Sequence, residues 1–160
     1  MSGWKAAFLK QAQSDYFLYK EMNRTHKPVC HQMHYLQMCC EKLAKVILAP
    51  TDGSRPKASH YLFKDALRQL KQRPNIVRAL HYENKKDAFS SAIDSLIPFA
   101  EKIEKLVPQD EFTPNSEYPW DRDGMIQAPV EYEFKEITES IQINKLNRLL
   151  ENLFEISAIL

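Results

Sequence analysis

The amino-acid sequence predicts an all-α fold, an up-and-down bundle of four to five helices that forms a single domain over residues 1–160. The main observation is that apolar residues recur at steps of three and four through most of the chain, as they do on the buried face of a helix. Glycine is scarce, with three in 160 residues, and four of the nine prolines fall in one segment. A chain of this length can form one core without disulfide or metal cross-links.

The first two helices are expected to be long and antiparallel. The sequence predicts them over residues 3–23 and 28–48, because a polar turn separates two helical apolar patterns. Pro28 suits the first turn of the second helix, and Pro50 in the following loop ends it. The apolar positions of the second helix are Val29, Met33, Leu36, Cys40, Leu43 and Ile47.

Capping residues and prolines define the next helices. Ser59 is a candidate N-cap for a short third helix that ends before Pro74, and a further turn or two is expected at 75–81. Asp87 can cap a long helix that ends near residue 107. Because Pro98 falls inside this helix, we expect a kink there.

The last helix is predicted from Phe134 to the C-terminus, and residues 108–133 before it, here called the cover segment, show no helical period. The cover segment is too apolar for an exposed linker, so we expect it to lie across the bundle and cover the core. A binding role is the alternative, because binding residues concentrate on loops held by a rigid scaffold. Its apolar residues include Tyr118, Trp120, Met125, Ile126, Val130 and Tyr132.

Charge is distributed unevenly along the chain. Residues 1–80 contain 14 Lys and Arg against 5 Asp and Glu, a net of +9, whereas residues 81–160 contain 8 against 16, a net of −8. This asymmetry indicates either a basic half that holds a phosphate-bearing partner, or two halves that neutralise each other within one chain or between two copies.

Cysteine content and hydropathy predict a cytoplasmic protein with no membrane association. The cysteines Cys30, Cys39 and Cys40 form no CxxC pair, and we expect them to be small apolar core residues in a reducing compartment. No stretch reaches the roughly 18 to 20 apolar residues of a membrane span. The first residues also lack the apolar run of a signal peptide.

The second helix contains the pattern Gln-x-x-x-Glu-Lys-x-x-Lys, and a Ser-His pair opens the third. The residues concerned, with two from the first helix, are Trp4, Asp15, His34, Gln37, Glu41, Lys42, Lys45, Ser59 and His60. The pattern resembles the HEPN domain (higher eukaryotes and prokaryotes nucleotide-binding), most closely over residues 4–72. The resemblance implies a helical bundle, commonly a homodimer, that is often encoded beside a minimal nucleotidyltransferase or acts as an RNA-cleaving toxin or defence protein.

The resemblance also implies where a ribonuclease site would lie. Catalytic members carry Arg, four to six residues, and then His near the start of a late helix, a pair suited to metal-independent cleavage of RNA by its 2′-hydroxyl. This chain has no histidine after His81, so that site is not expected. A similar spacing occurs at helix-entry loops in Arg24 with His31 and in Arg55 with His60. The pair Arg55 and His60 is the alternative catalytic site.

A basic stripe on the third helix is the candidate binding surface. Lys64, Arg68 and Lys71 step by four and three along one helix face, opposite the apolar face. Such a stripe can neutralise the phosphates of a nucleotide or of RNA. The alternative is a solvated face, or one paired with Glu101, Glu104 and their acidic neighbours.

A line of polar residues runs beside the apolar face of the second helix, with His34, Gln37, Glu41 and Lys45 at steps of three and four. These residues are expected to line a nucleotide pocket or a polar dimer contact. In the alternative interpretation, Glu41 and Lys45 form an ordinary helical ion pair worth roughly 0.3–0.5 kcal/mol.

Metal and cofactor sites are not expected. His31 and His34 lie one helical turn apart beside Cys30, but zinc normally takes three or four ligands and no carboxylate at a matching spacing completes the set. Three glycines are too few for a phosphate-binding Gly-rich loop, and no other catalytic motif is present.

These observations lead to two functional hypotheses from different classes. The favoured hypothesis is a non-catalytic HEPN-like module that binds a nucleotide or RNA and forms a homodimer, with a nucleotidyltransferase as candidate partner. The alternative is an atypical endoribonuclease that uses Arg55 and His60. A bundle with no ligand is a third interpretation.

Overall fold

The computed structural model describes residues 3–160, and these residues fold mainly into helices, in agreement with the all-α class. The helices are α1 (Gly3–Arg24), α2 (Val29–Ile47), α3 (Phe63–Leu70), α4 (Pro74–Ala79), α5 (Lys86–Glu104), α6 (Lys135–Thr138) and α7 (Ile141–Glu155). The strands are β1 (Trp120–Arg122) and β2 (Met125–Gln127), and 3₁₀ turns lie at Pro129–Glu131 and Ser157–Ile159. One apolar cluster contains buried residues from all seven helices.

Helix α2 lies at the centre of this cluster. Eleven of its residues are buried, more than a single apolar face supplies, because α1, α3 and α5 all pack against it. The buried set includes Cys30, Cys39 and Cys40, which are free thiols, so their expected role in the core is confirmed. The predicted bounds of the first two helices agree with α1 and α2 to within one residue at each end.

An ion pair ties α1 to α2 within this interface. Lys42 Nζ lies 2.7 Å from Asp15 Oδ2, and both side chains are largely shielded from solvent, with 12% and 5% exposure. Gln11 Nε2 donates a second hydrogen bond to Asp15, at 3.0 Å. The Asp15 carboxylate is therefore held between two donors at a site with little access to water.

Helix α3 begins at Phe63, and Ser59 does not cap it as predicted. The Ser59 hydroxyl instead accepts a hydrogen bond from the backbone of Tyr61, in the irregular chain before the helix. The buried Glu104 carboxylate from the end of α5 accepts a hydrogen bond of 3.0 Å from the Lys64 backbone N–H. A side chain 40 residues away in sequence therefore caps the N-terminus of α3.

Helix α5 differs slightly from its predicted bounds. It starts at Lys86, so Asp87 lies in the first turn, where a negative charge favours the helix dipole, and is not the cap. The helix ends at Glu104 and not near 107. Pro98 lies inside it, and because proline has no N–H, the carbonyl of Asp94 lacks its usual helical donor.

The prediction of one final helix from Phe134 to the C-terminus is wrong. Phe134 itself is buried in a left-handed conformation with φ of 47°, and the short α6 follows it. Ser140 then caps α7, because its hydroxyl accepts a hydrogen bond of 3.3 Å from the Gln142 backbone N–H. Residues after Glu155 form a 3₁₀ turn.

The cover segment contains a β-hairpin. Strands β1 and β2 pair antiparallel, with Trp120 opposite Gln127, and the connecting Asp123 and Gly124 have φ of 54° and 82°. Positive φ at both turn residues suits a right-handed twisted hairpin. The Asp121 carboxylate accepts a hydrogen bond of 2.6 Å from the Gly124 backbone N–H and stabilises the turn.

Burial within the cover segment only partly follows the prediction. Trp120 is buried and packs against the rings of Tyr132 and Phe134, with centroids 5.2 Å and 6.4 Å away. The expected burial is wrong for four residues, because they lie in the short hairpin and the irregular chain around it, outside the apolar cluster. These exposed residues are Tyr118, Met125, Ile126 and Val130.

Candidate functional site

A cluster of polar side chains is centred on the Glu41 carboxylate, in the middle of α2. Glu41 is 5% exposed and accepts hydrogen bonds from Lys45 Nζ, from the amide of Gln37 at 3.5 Å, and from His60, whose Nδ1 lies 2.5 Å from Glu41 Oε2. Gln37 and Lys45 are one helical turn before and after Glu41, so the helix itself brings the three together. His60 reaches them from the loop between α2 and α3.

The Glu41 carboxyl is an anion at neutral pH. Burial alone opposes ionisation, but the hydrogen bonds and charges of Lys45 and His60 outweigh burial, and the pKa of Glu41 lies below its ordinary value of 4.5. The carboxylate is therefore a fixed acceptor. Because it only accepts, the His60 Nδ1 atom that faces it carries a proton.

His60 is oriented but accessible. Its side chain is 59% exposed, although its partner Glu41 is buried. With Nδ1 held by the carboxylate, the ring nitrogen Nε2 is the atom left for another partner, and it has none among residues 3–160. An imidazole fixed in this way can exchange a proton with a bound molecule or donate a hydrogen bond to an anion.

Arg55 belongs to the same surface, through aromatic contacts with the start of α1. Its guanidinium lies 5.1 Å from the ring centroid of Trp4, which stacks on Phe8 at 6.3 Å. Lys45 Nζ lies 5.4 Å from the Phe8 ring and also binds Glu41. A row of contacts thus leads from Arg55 to the Glu41 cluster, although no hydrogen bond joins Arg55 to His60 among the described residues.

We call the exposed part of this region the loop surface, and define it as Trp4, Arg55, Lys57 and His60. All four are exposed, and Trp4 keeps 45% of its accessible area. Among the described residues, neither Arg55 nor Lys57 makes an ion pair with a carboxylate. The loop surface therefore combines two unpaired cations, an oriented imidazole and an exposed indole.

The predicted basic stripe on α3 has a different environment. Each of its cations meets a carboxylate, with 3.0 Å between Lys64 and Glu101, 2.8 Å between Arg68 and Asp65, and 2.5 Å between Lys71 and Asp94. These contacts are those of the alternative interpretation, in which acidic neighbours pair with the stripe. Phosphate binding by the stripe stays a prediction, and it requires a ligand to compete with three carboxylates.

His34 does not join the rest of the predicted polar line. Its Nδ1 lies 2.9 Å from Glu117 Oε1 of the cover segment, but without the alignment of a hydrogen bond. Gln37 is 1% exposed, and its Oε1 atom has no partner among the described residues. The polar line therefore divides, with His34 beside the cover segment and the other three residues within the Glu41 cluster.

Sequence reasoning singled out both Glu41 and His60 but did not bring them together. It assigned Glu41 to a helix face and His60 to a pair with Arg55, because residues 19 apart across an irregular loop have no fixed spacing. The same holds for Trp4 and Arg55. Pro50 and Pro56 indicate an irregular loop between α2 and α3. No periodic pattern, however, predicts which part of the fold such a loop packs against.

Metal ligands do not cluster in the structure: within residues 3–160 no group of three or more His, Cys, Asp or Glu side chains is placed to hold a metal ion. Over the same range no helix has the length and apolar character to cross a membrane. Comparison of the chain with protein-family models, curated proteins and solved structures found no match. Functional inference therefore depends on the chemistry of the loop surface and the Glu41 cluster.

Proposed function

We propose that the protein is a binding module for single-stranded RNA or a nucleotide, and that the loop surface holds the ligand. One observation carries this proposal. The cations of the α3 stripe are paired with carboxylates, whereas Arg55 and Lys57 make no ion pair among the described residues, and Arg55 lies beside the exposed ring of Trp4. Cations supply phosphate contacts, and an aromatic ring supplies a platform for a base.

The parts of the loop surface have distinct roles in this proposal. Arg55 and Lys57 bind phosphate oxygens, and the guanidinium of Arg55 is already positioned over Trp4. A base stacks on the exposed indole, an interaction worth roughly 1–3 kcal/mol per base and tolerant of sequence. His60, oriented by Glu41, donates a hydrogen bond from Nε2 to phosphate when its ring is protonated.

The proposal extends to the organisation of the protein. We propose a HEPN-like domain whose long helices form an up-and-down bundle, and the antiparallel packing of α1 and α2 across a short loop supports this arrangement. In that setting a homodimer, a nucleotidyltransferase partner and a cytoplasmic location follow from the resemblance. The Gln37, Glu41 and Lys45 cluster then orients His60 and does not itself contact the ligand.

The test compares two variants in one binding assay. Fluorescence anisotropy of a fluorescein-labelled 12-nucleotide RNA is measured with the wild type, with the loop variant Arg55→Gln/Lys57→Gln, and with the stripe variant Lys64→Gln/Arg68→Gln/Lys71→Gln. We expect the loop variant to weaken binding more than the stripe variant, although the stripe variant removes one more positive charge. An equal loss of RNA-binding free energy per charge removed contradicts the proposal. A greater loss of affinity in the stripe variant contradicts it as well.

Stacking is tested separately with Trp4→Leu. This change removes the indole from an exposed position, so we expect no effect on folding. Loss of one stacked base weakens RNA binding by roughly five- to 150-fold. Phe17→Leu, at another exposed aromatic residue on α1, is the control and is expected to bind as the wild type does. An identical affinity for the Trp4 and Phe17 variants contradicts the stacking role.

The pairing of Glu41 with His60 favours a second candidate function, cleavage of RNA. In this mechanism His60 Nε2 removes the proton of the 2′-hydroxyl, the 2′-oxygen forms a bond to phosphorus, the bond from phosphorus to the 5′-oxygen breaks, and Arg55 stabilises the charge on phosphate. Glu41 acts as a positioning residue that holds the ring through Nδ1. The proton removed passes on to the leaving oxygen or to water.

Recovered RNA run on a denaturing gel decides between the two functions. Fragments that disappear with His60→Ala and decrease with Glu41→Gln, at unchanged helix content by circular dichroism, indicate the ribonuclease. Arg24→Gln/His31→Gln serves as control, because its residues have the same kind of spacing but lie outside the loop surface. Intact RNA in all samples, together with measurable binding, supports the binding module.

A further inference from the structure

A groove of about 410 Å³ lies between α5 and α7. None of the loop-surface residues lines it. The turn after α4 also contributes to its lining. Its volume falls within the usual range of small-molecule sites, roughly 300–1,000 Å³. The apolar part of its lining includes Leu80, Tyr82, Phe89, Ile93, Leu96 and Leu149.

The apolar wall of this groove is continuous with the core. Phe89 and Ile93 are buried members of the apolar cluster, and the rings of Tyr82 and Phe89 pack together with centroids 5.2 Å apart. Ile141, at the start of α7, also lines the groove but is 71% exposed. An exposed Ile beside a buried apolar wall provides surface that an apolar ligand can cover, which is favourable in proportion to the area buried.

Two cations lie on the α7 side of the groove. Lys145 and Arg148 are three residues apart, so they project from neighbouring positions on one helix face. The lining contains no Asp or Glu, and within residues 3–160 neither cation makes an ion pair or a side-chain hydrogen bond. Glu151, the carboxylate whose pKa responds to Arg148, is already held by Tyr16 at 2.9 Å and Lys20 at 3.2 Å.

We propose that this groove binds a small amphiphilic anion, a molecule with an apolar chain or ring and one anionic head group such as a carboxylate. The apolar wall, formed mainly by α5 and the turn after α4, buries the body of the ligand, and Lys145 and Arg148 bind the head group. Adjacent cations three residues apart can both reach one carboxylate, with Arg supplying a bidentate contact. Asn144 and Asn152, on the same helix, complete the polar rim.

The test uses octanoate and 1-octanol, which share an apolar chain but differ in charge. Each is titrated into ¹⁵N-labelled protein, and amide shifts in the NMR spectrum report both the affinity and the place of binding. We expect octanoate to shift amides of α5, α7 and the turn after α4, and to bind at least tenfold more tightly than octanol, because charged hydrogen bonds exceed neutral ones in strength. Absence of shifts in these elements, or equal affinity for both ligands, overturns the proposal.

Three variants separate the parts of the site. Lys145→Gln/Arg148→Gln is expected to weaken octanoate binding roughly tenfold or more and leave octanol binding unchanged. Lys102→Gln/Lys105→Gln removes the same charge at the same spacing from exposed positions at the C-terminal end of α5, outside the groove, and is expected to bind as the wild type does. An equal loss in both double variants overturns the proposal, since it indicates a general charge effect.

The third variant, Ala92→Phe, fills the groove from an exposed position on α5, so the fold is expected to tolerate it. Binding of both octanoate and octanol is expected to decrease, because the ring occupies space that the chain would take. The dispersed amide spectrum of this variant reports whether it is folded. Unchanged octanoate affinity in a folded Ala92→Phe variant places the ligand elsewhere and overturns the proposal.

Discussion

The ion pair between Asp15 and Lys42 is expected to be a large local contribution to stability. The two side chains are 5% and 12% exposed and their atoms lie 2.7 Å apart, between α1 and α2. Replacing Lys42 by Met keeps most of the volume but leaves the Asp15 carboxylate with only the Gln11 amide as a side-chain donor. Removal of one partner from a buried pair typically costs roughly 3–5 kcal/mol, because an uncompensated charge stays buried.

The expected loss for Lys42→Met is about 3 kcal/mol, the lower end of that range, because Gln11 continues to donate to the carboxylate. For a domain of this size, each kcal/mol lowers the melting temperature by roughly 2–4 °C, so we expect a decrease of about 6–12 °C. The assay is thermal unfolding followed by circular dichroism, with urea unfolding at 25 °C as a second measure of the free energy. The double variant Asp15→Leu/Lys42→Met removes both charges and is expected to recover part of the loss.

The control is the exposed pair Glu21 and Arg24 on α1, whose atoms are also close, at 2.8 Å, but whose side chains are 39% and 70% exposed. Exposed pairs contribute roughly 0–1 kcal/mol, so Arg24→Met is expected to lower the melting temperature by no more than about 4 °C. Equal effects of Lys42→Met and Arg24→Met would refute the reasoning from burial. If the stability loss of Asp15→Leu/Lys42→Met equals the sum of the losses of its two single variants, the energetic coupling between Asp15 and Lys42 is refuted.

Three further predictions concern capping, titration and thiol reactivity. Glu104→Ala removes the acceptor of the Lys64 backbone N–H and is expected to cost roughly 1–2 kcal/mol in urea unfolding, and an unchanged free energy contradicts the cap. In a ¹³C-carboxyl NMR titration, the pKa of Glu41 is expected below its ordinary 4.5, because Lys45 and His60 outweigh burial. The pKa of Glu104 is expected above 4.5, because burial dominates there. A common midpoint for the two carboxyls refutes both assignments. By linkage, the stability from Glu41 is complete above pH 4.5 and is lost as pH falls through its folded pKa, whereas protonation of Glu104 on acidification stabilises the fold. Burial raises the pKa of the Cys39 and Cys40 thiols, so iodoacetamide at pH 8 is expected to label them only on unfolding, and rapid labelling of folded protein contradicts their placement.

The sequence predicts the helices that have local causes. Helices α1 and α2 were expected nearly to the residue, because Pro28 marks a helix start and the apolar period is long and regular. The start of α3 was not predictable, since its cap is Glu104, a residue from another helix. The left-handed Phe134 precedes the short α6, and no local pattern indicates that conformation for phenylalanine; a second break follows at Ser140, which caps α7.

The contacts of the candidate site also fall into those that the sequence predicts and those that it does not. The contact of Glu41 with Gln37 and Lys45 follows from helical spacing, and the sequence indicated all three. The contact of Glu41 with His60, and that of Arg55 with Trp4, depend on the path of an irregular loop and were found only in the structure. Long-range electrostatic pairing also decides which basic residues are free of carboxylates, and a sequence pattern does not contain that information.

The salt dependence of RNA binding tests the role of the loop surface most directly. For single strands, each phosphate contact contributes roughly −0.7 to the slope of log K against log salt concentration. We predict that Arg55→Gln/Lys57→Gln makes the slope of the wild type less steep by about 1.4, since two contacts are lost. We also predict that the stripe variant at 64, 68 and 71 keeps the wild-type slope. Equal slopes for the wild type and the loop variant would contradict binding at the loop surface. A slope that becomes less steep only in the stripe variant would contradict it as well.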